Sequence, residues 1–219
     1  MLKGIIFDID GVLIDTEGFQ YQGWVEVLSP QGVSLDKEDY IKNYAGKTAS
    51  FIEQELIEQF GLNLKTGELS QKKEELLMEW FKTKQLKLLP YAKEAIQFLR
   101  EANLKVGASS GAPRPEILLK LKRVGLEGLF ESIISRDDVK RGKPYPDVYL
   151  LGAEKLAIQP NEIITIEDTQ YGVESAKSAG MVCLAIPQEF SAQQNFSQAD
   201  RVFKDLKEAV DWIKKEHSL

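Results

Sequence analysis

Five short apolar runs, Gly4–Phe7, Val106–Ala108, Ser132–Ser135, Ile163–Ile166 and Val182–Ile186, set the frame of this 219-residue chain. Helical patterns separate the later ones, at Pro115–Val124, Asp147–Leu156 and Gly172–Ala179. Short strands alternating with helices imply parallel βαβ units. The expected fold class is therefore α/β, with a doubly wound, mostly parallel sheet. The first run lacks polar alternation, as a strand covered on both faces requires. A closing helix is expected over Lys204–Glu216, where Leu206, Ala209, Val210 and Ile213 recur at helical spacing.

The stretch from about Glu17 to Leu88 breaks this alternation. It holds no convincing strand, and its periodicity is helical. Phe51, Ile52, Leu56, Ile57 and Phe60 form one apolar stripe, stopped by Gly61. Leu76, Leu77, Trp80 and Phe81 form a second, with Ser70 as its expected N-cap. Such stripes more often pack helices together than bind ligands. The expected division is a core of residues 1–16 and 89–219 interrupted by a helical cap domain, residues 17–88, with Pro90 marking the return. Ligands bind beyond the carboxyl ends of the strands in such sheets, so a segment inserted after the first strand should overhang the site.

Composition narrows the chemistry. A net charge of −6 argues against a nucleic-acid or anionic-membrane partner. The N-terminal apolar run is too short to span a bilayer. The single cysteine, Cys183, excludes an internal disulfide framework, suits a reducing cytoplasm, and reads as a buried, inert thiol. The single histidine, His217, lies two residues from the end. A histidine-based triad or zinc site is thereby disfavoured, and acid–base work falls to carboxylates and lysine. No feature calls for more than a monomer.

The polar residues that end the apolar runs make one candidate constellation. The first run closes in Asp8 and Asp10, two carboxylates two positions apart, followed by Gly11. On an extended segment both can face one site, and their repulsion calls for a cation or a raised pKa. The second run ends in Ser109-Ser110-Gly111, able to cradle an oxyanion. After the third comes Lys143 in a constrained turn, and the fourth ends in Glu167-Asp168-Thr169. Each has a bland reading: an Asp-Gly turn, an ordinary loop, a solvated lysine, a helix cap. Independent turns have no reason to supply all four.

Together the set fits phosphoryl transfer. Mg²⁺ would offset the repulsion between a carboxylate and a phosphate dianion. Lys143 and the Ser109–Ser110 loop would compensate the remaining phosphate charge. Asp8 would become an aspartyl phosphate, and Asp10 would protonate the leaving oxygen and later deprotonate water.

The motifs resemble those of the haloacid dehalogenase-like phosphohydrolases. Phe7-Asp8-Ile9-Asp10-Gly11-Val12-Leu13, Ser109, Gly142-Lys143-Pro144-Tyr145-Pro146-Asp147 and Ile166-Glu167-Asp168-Thr169 follow the family's four motifs in order, and Gly172–Gly180 is similar too. The resemblance spans the chain and includes the helical cap. It implies a Rossmann-like core and a Mg²⁺ enzyme with Asp8 as nucleophile and Asp10 as acid/base. The implied metal ligands are Asp8, the Asp10 carbonyl and Asp168, with Glu167 supporting them.

Asp10 points away from the dehalogenases, which lack the second aspartate. The cap looks like that of the β-phosphoglucomutase-like group. Where the mutase pattern carries a histidine and an arginine, this chain has Gln20 and Ala49, so a phosphatase acting on a small phosphate monoester, of the sugar-phosphate kind, is preferred. Gln20, Gly46 and Lys47 are the candidate specificity residues of the cap. Gly46-Lys47-Thr48 is not a P-loop, because Ile41 stands where a glycine is needed. A phosphosugar mutase and a non-catalytic binding module are the alternatives.

Overall fold

A computed structural model describes all residues, 1–219. Its main sheet has six parallel strands in the order β5-β4-β1-β6-β7-β8. They are β1 (Gly4–Asp8), β4 (Lys105–Ser109), β5 (Ser132–Ile134), β6 (Ile163–Glu167), β7 (Val182–Ala185) and β8 (Arg201–Val202). The chain builds outward from β1 on one side and then returns to build on the other. Its switch point lies beside β1, where a crevice opens past the strand ends.

Both faces of the sheet are covered. Ile5 and Phe7 point to one face, with Val106 and Ala108, and pack under α5 (Ala92–Glu101), α6 (Arg114–Arg123) and α9 (Leu206–His217). Ile6 and Cys183 point to the other, under α7 (Asp147–Leu156) and α8 (Gln170–Ser178). Two-sided burial explains the unbroken apolar runs. The helix α5 follows Pro90 and is absent from the expectations above. Its amphipathic pattern, with Ala92, Ala95, Ile96 and Leu99 buried, is short enough to be taken for a connection.

Between the core's two halves lie four helices, here called the cap: α1 (Glu17–Leu28), α2 (Lys37–Asn43), α3 (Ala49–Phe60) and α4 (Glu68–Thr83). The two crossings, β2 (Ile14–Asp15) and β3 (Lys87–Leu88), pair antiparallel. The cap has its own apolar centre, built on Trp24, Leu28, Tyr40, Ile52, Leu56 and Leu69. Phe190, from the loop after β7, completes it by packing against Tyr21 and Tyr40. Beside it Lys37 pairs with Glu189 at 2.6 Å, and the Gln194 amide donates to the Ala45 carbonyl at 3.0 Å. On the opposite flank Arg136 grips Glu74 at 2.8–2.9 Å, and Arg123 donates to the Lys82 and Lys84 carbonyls.

Two details of the cap correct the expectations. Gly67, not Ser70, precedes α4; Ser70 lies inside the first turn and donates to Glu53. The buried Glu53 carboxylate accepts from the Gly67 and Leu69 N–H groups, doing from α3 what a local cap would do. In α3, Ile52 and Leu56 are buried, but Phe51 is 43% exposed and Phe60 also faces solvent. Phe51 instead carries the Lys47 ammonium 4.4 Å above its ring.

Candidate active site

Register puts the polar strand ends in one place. Asp8, the last residue of β1, lies directly opposite Ser109 at the end of β4, and Phe7 pairs with Ile166, so Glu167 and Asp168 arrive on the other flank. The Lys143 ammonium, from the turn before α7, donates to both Asp8 and Glu167. Tyr149 on α7 also donates to Glu167. Thr169 caps α8 by accepting from the Gly172 N–H at 3.1 Å, so Glu167 and Asp168 are not spent on that cap.

Two glycines make room for this packing. A Cβ at Gly11, whose φ is +79°, would lie 2.0 Å from the Asp168 carboxylate, and one at Gly172 would lie 2.0 Å from Glu167. Any larger residue would displace a site carboxylate.

Asp8, Glu167 and Asp168 are all buried, and their carboxylate oxygens lie within 4.8 Å of one another. Burial, with the charges of Glu167 and Asp10 added, pushes Asp8 well above the usual carboxylate range; Lys143 offsets only part of this. Asp168 is pushed up by burial and by Asp8, Glu17 and Glu167. Burial works against the Lys143 charge, but Asp8 and Glu167 outweigh it and hold the ammonium well above the usual lysine range. Three carboxylates thus share one ammonium. A hard dication with oxygen ligands is the group that such a donor set accepts.

Asp10 stands apart from that cluster. Its Oδ1 accepts from Thr16 Oγ1 at 2.6 Å and from Lys120 Nζ at 2.5 Å, and its Oδ2 accepts from Ser110 Oγ at 2.8 Å. Burial would raise Asp10, but Lys120 and these hydrogen bonds bring it below the usual carboxylate range. The two serines divide accordingly. Ser110 serves Asp10, whereas the Ser109 hydroxyl is fully buried with no partner. An orphaned hydroxyl opposite Asp8 is a vacant donor for an anionic oxygen.

Gln20 accepts from the buried Lys73 ammonium at 2.6 Å, within the cap, between α1 and α4. Burial lowers Lys73 to about 8, and burial with the nearby Asp10 charge pushes Glu17 up to about 7. Gly46 abuts Thr169, and Lys47 lines a polar cleft of about 140 Å³ with Gln170 and Gln194. These two therefore sit at the cap–core seam and are not brought into the Asp8 cluster.

A model of haloacid dehalogenase-like hydrolases matches residues 5–186, which contain Asp8, Asp10, Ser109, Lys143, Glu167 and Asp168. The chain belongs to that family. Its relatives include the phosphorylated carbohydrates phosphatase of Thermotoga maritima, 31% identical over 82% of each chain. They also include the fructose-1-phosphate phosphatase YqaB of Escherichia coli, 31% identical over 81% of this chain and 93% of the other. The crystal structure of a Deinococcus radiodurans family hydrolase, with bound phosphate and sodium, superposes with a TM-score of 0.78 at 25% identity, covering 100% and 97% of the two chains. This places the chain, within the haloacid dehalogenase-like hydrolases, among the phosphoric monoester hydrolases. No helix is long and apolar enough to cross a membrane.

Thr16, Glu17, Lys73, Glu116, Lys120 and Tyr149 escaped the sequence reading. Glu116 and Lys120 had a signal, their i,i+4 spacing, but that pattern ordinarily marks an exposed helix face.

Proposed function

We propose that this chain hydrolyses a small phosphate monoester of the sugar-phosphate kind with Mg²⁺, through a phosphoryl group carried on Asp8. The observation that carries the proposal is the unbalanced cluster of Asp8, Glu167 and Asp168 beside Lys143 and the orphaned Ser109 hydroxyl. Asp8, Asp168 and the Asp10 carbonyl would hold the ion, and when bound it would neutralise charge between nucleophile and phosphate. Glu167 is already committed to Lys143 and Tyr149, which suits a supporting role.

Lys143 and Ser109 hold non-bridging phosphate oxygens. The Asp8 carboxylate forms the new O–P bond as the ester P–O bond breaks, and Asp10, ionised in the free protein, takes up the proton of the ester monoanion as it binds and gives it to the departing alkoxide. Asp10 then takes a proton from water, whose oxygen attacks phosphorus, and that proton leaves with the phosphate, so that both aspartates return to their first state. The two relatives named as sugar-phosphate or carbohydrate-phosphate phosphatases support the substrate class. A mutase must hold a second phosphate, and residues 17–88 contain no arginine to do so.

The test is Mg²⁺-dependent phosphate release across phosphorylated sugars, polyols and nucleotides, with Asp8→Asn as the blank. Release from a narrow set of sugar phosphates, lost in the blank, is expected. Turnover that appears only when a sugar bisphosphate is added would favour the mutase instead. No release and no mutase turnover would leave the binding module.

A further inference from the structure

Lys120 belongs to none of the strand-end motifs, yet it is the charged group closest to Asp10. It sits on the inner face of α6 with 0% exposure, its Nζ 2.5 Å from Asp10 Oδ1 and 2.8 Å from Glu116 Oε1. The ring of Phe81, on cap helix α4, lies 5.4 Å from the same ammonium and covers it.

Counting lone pairs separates the two oxygens of Asp10. Each carboxylate oxygen offers about two acceptor positions. Oδ1 fills both, with Thr16 and Lys120. Oδ2 fills one, with Ser110, whose own oxygen accepts from the Ala112 N–H at 3.0 Å. The Asp10 side chain keeps 16% exposure. Only Oδ2 therefore has a position free for the proton that the proposed mechanism passes to the leaving oxygen.

We propose that Lys120 is a positioning residue: it anchors Asp10 Oδ1, stops the carboxyl from rotating, and so presents Oδ2 to the leaving group. This rests on the phosphatase reading given above. Glu116 in turn holds Lys120 from one helical turn away. A purely structural lysine could be satisfied by Glu116 alone. Here the amine reaches past it to a group at the reacting centre, in a slot that the cap closes.

A general acid is needed for a poor leaving group and dispensable for a good one, which gives a readout that general damage to the fold would not reproduce. The test uses the full chain with Mg²⁺ and two esters, the best sugar phosphate from the panel and p-nitrophenyl phosphate. Lys120→Met keeps the apolar stem and removes the amine. The expected result is a loss of ~10²-fold in kcat/KM for the sugar phosphate, within the range general acids supply, against less than ~3-fold for the aryl ester. In an Asp10→Asn background the same change should cost almost nothing further, because both act through one group.

Lys120→Met strands the buried Glu116 charge, so Lys120→Met/Glu116→Gln is the partner variant that preserves folding. Equal losses on both esters, or a loss carried undiminished into the Asp10→Asn background, would overturn the positioning role. So would an unchanged kcat/KM for the sugar phosphate. A wild type that releases phosphate from no ester would overturn the phosphatase reading and this role with it.

Discussion

At the strand ends three buried carboxylates face one ammonium, whereas where the cap meets the core Asp10, Glu17 and Glu116 are interleaved with Lys73 and Lys120. The first group is left with surplus negative charge, and its aspartates are pushed towards their neutral forms. The second nearly balances: its aspartate is held ionised, and only Glu17 is pushed up, by burial and the Asp10 charge. A surplus marks where something charged must arrive; a balanced set marks side chains that hold one another in place. The two sets meet across the short chain between Asp8 and Asp10.

The sharpest way to break this comparison is Asp8→Asn. Turnover should fall by at least ~10⁴-fold, since the nucleophile is gone. The metal-free melting temperature should stay level or rise, because one of three crowded carboxylates has been removed. A clear drop in melting temperature would show that the strand-end set was balanced after all.

Mg²⁺ should next distinguish the sets by stabilising the fold in a pH-dependent way. At a hundred times its dissociation constant a ligand adds ~2.7 kcal/mol, or ~5–10 °C for a chain of this size. The sign follows from the raised carboxyls. Asp8, Asp168 and Glu17 bind protons more readily folded than unfolded, so metal-free stability falls as pH rises from the ordinary carboxylate range through their folded values. Asp10 works the other way, and its contribution is lost only as pH falls through its lowered value. The Mg²⁺-induced shift should therefore be larger at pH 8 than at pH 6. Differential scanning fluorimetry at the two values checks it, with a flat response counting against the surplus.

The cap offers smaller effects. Phe190→Ala removes a core-borne ring from the cap's apolar centre and should cost ~3 kcal/mol at the low end for a buried Phe→Ala change. Limited proteolysis should then cut within residues 17–88 before the sheet. Lys47→Ala should raise KM for the sugar phosphate by only ~3–10-fold, the worth of about a kcal/mol, and leave p-nitrophenyl phosphate alone. Equal changes for both esters would deny Lys47 any part in recognition.

The strand ends were legible because each joins an apolar run to a polar residue and a turn, all within about ten positions. Asp8, Ser109, Lys143, Glu167 and Asp168 could be named for that reason, and α7 could be bounded at Asp147–Leu156. What escaped depends on contacts distant in sequence. Lys120 looks like half of a surface pair until Asp10, far back in the chain, closes over it. Phe190 lies more than a hundred residues from the cap it completes. Ser70 has the composition of a helix cap, but the Glu53 carboxylate had already met those N–H groups. Phe51 and Ile52 carry equal apolar weight on paper, and only the packing of α3 shows which one turns inward.

The position of β1 at the centre of the sheet has a cost during synthesis. Gly4 pairs with Lys105 on one side and Ile163 on the other, so β1 is synthesised about a hundred residues before its nearer neighbour and waits for both. Residues 17–88 emerge as one continuous stretch in the meantime and can collect into helices. Yet even they lack Phe190 until more than a hundred further residues are out. Through the synthesis of everything between β1 and its partners, Gly4–Asp8 is a bare apolar ribbon, and that is where a nascent-chain chaperone would find its grip.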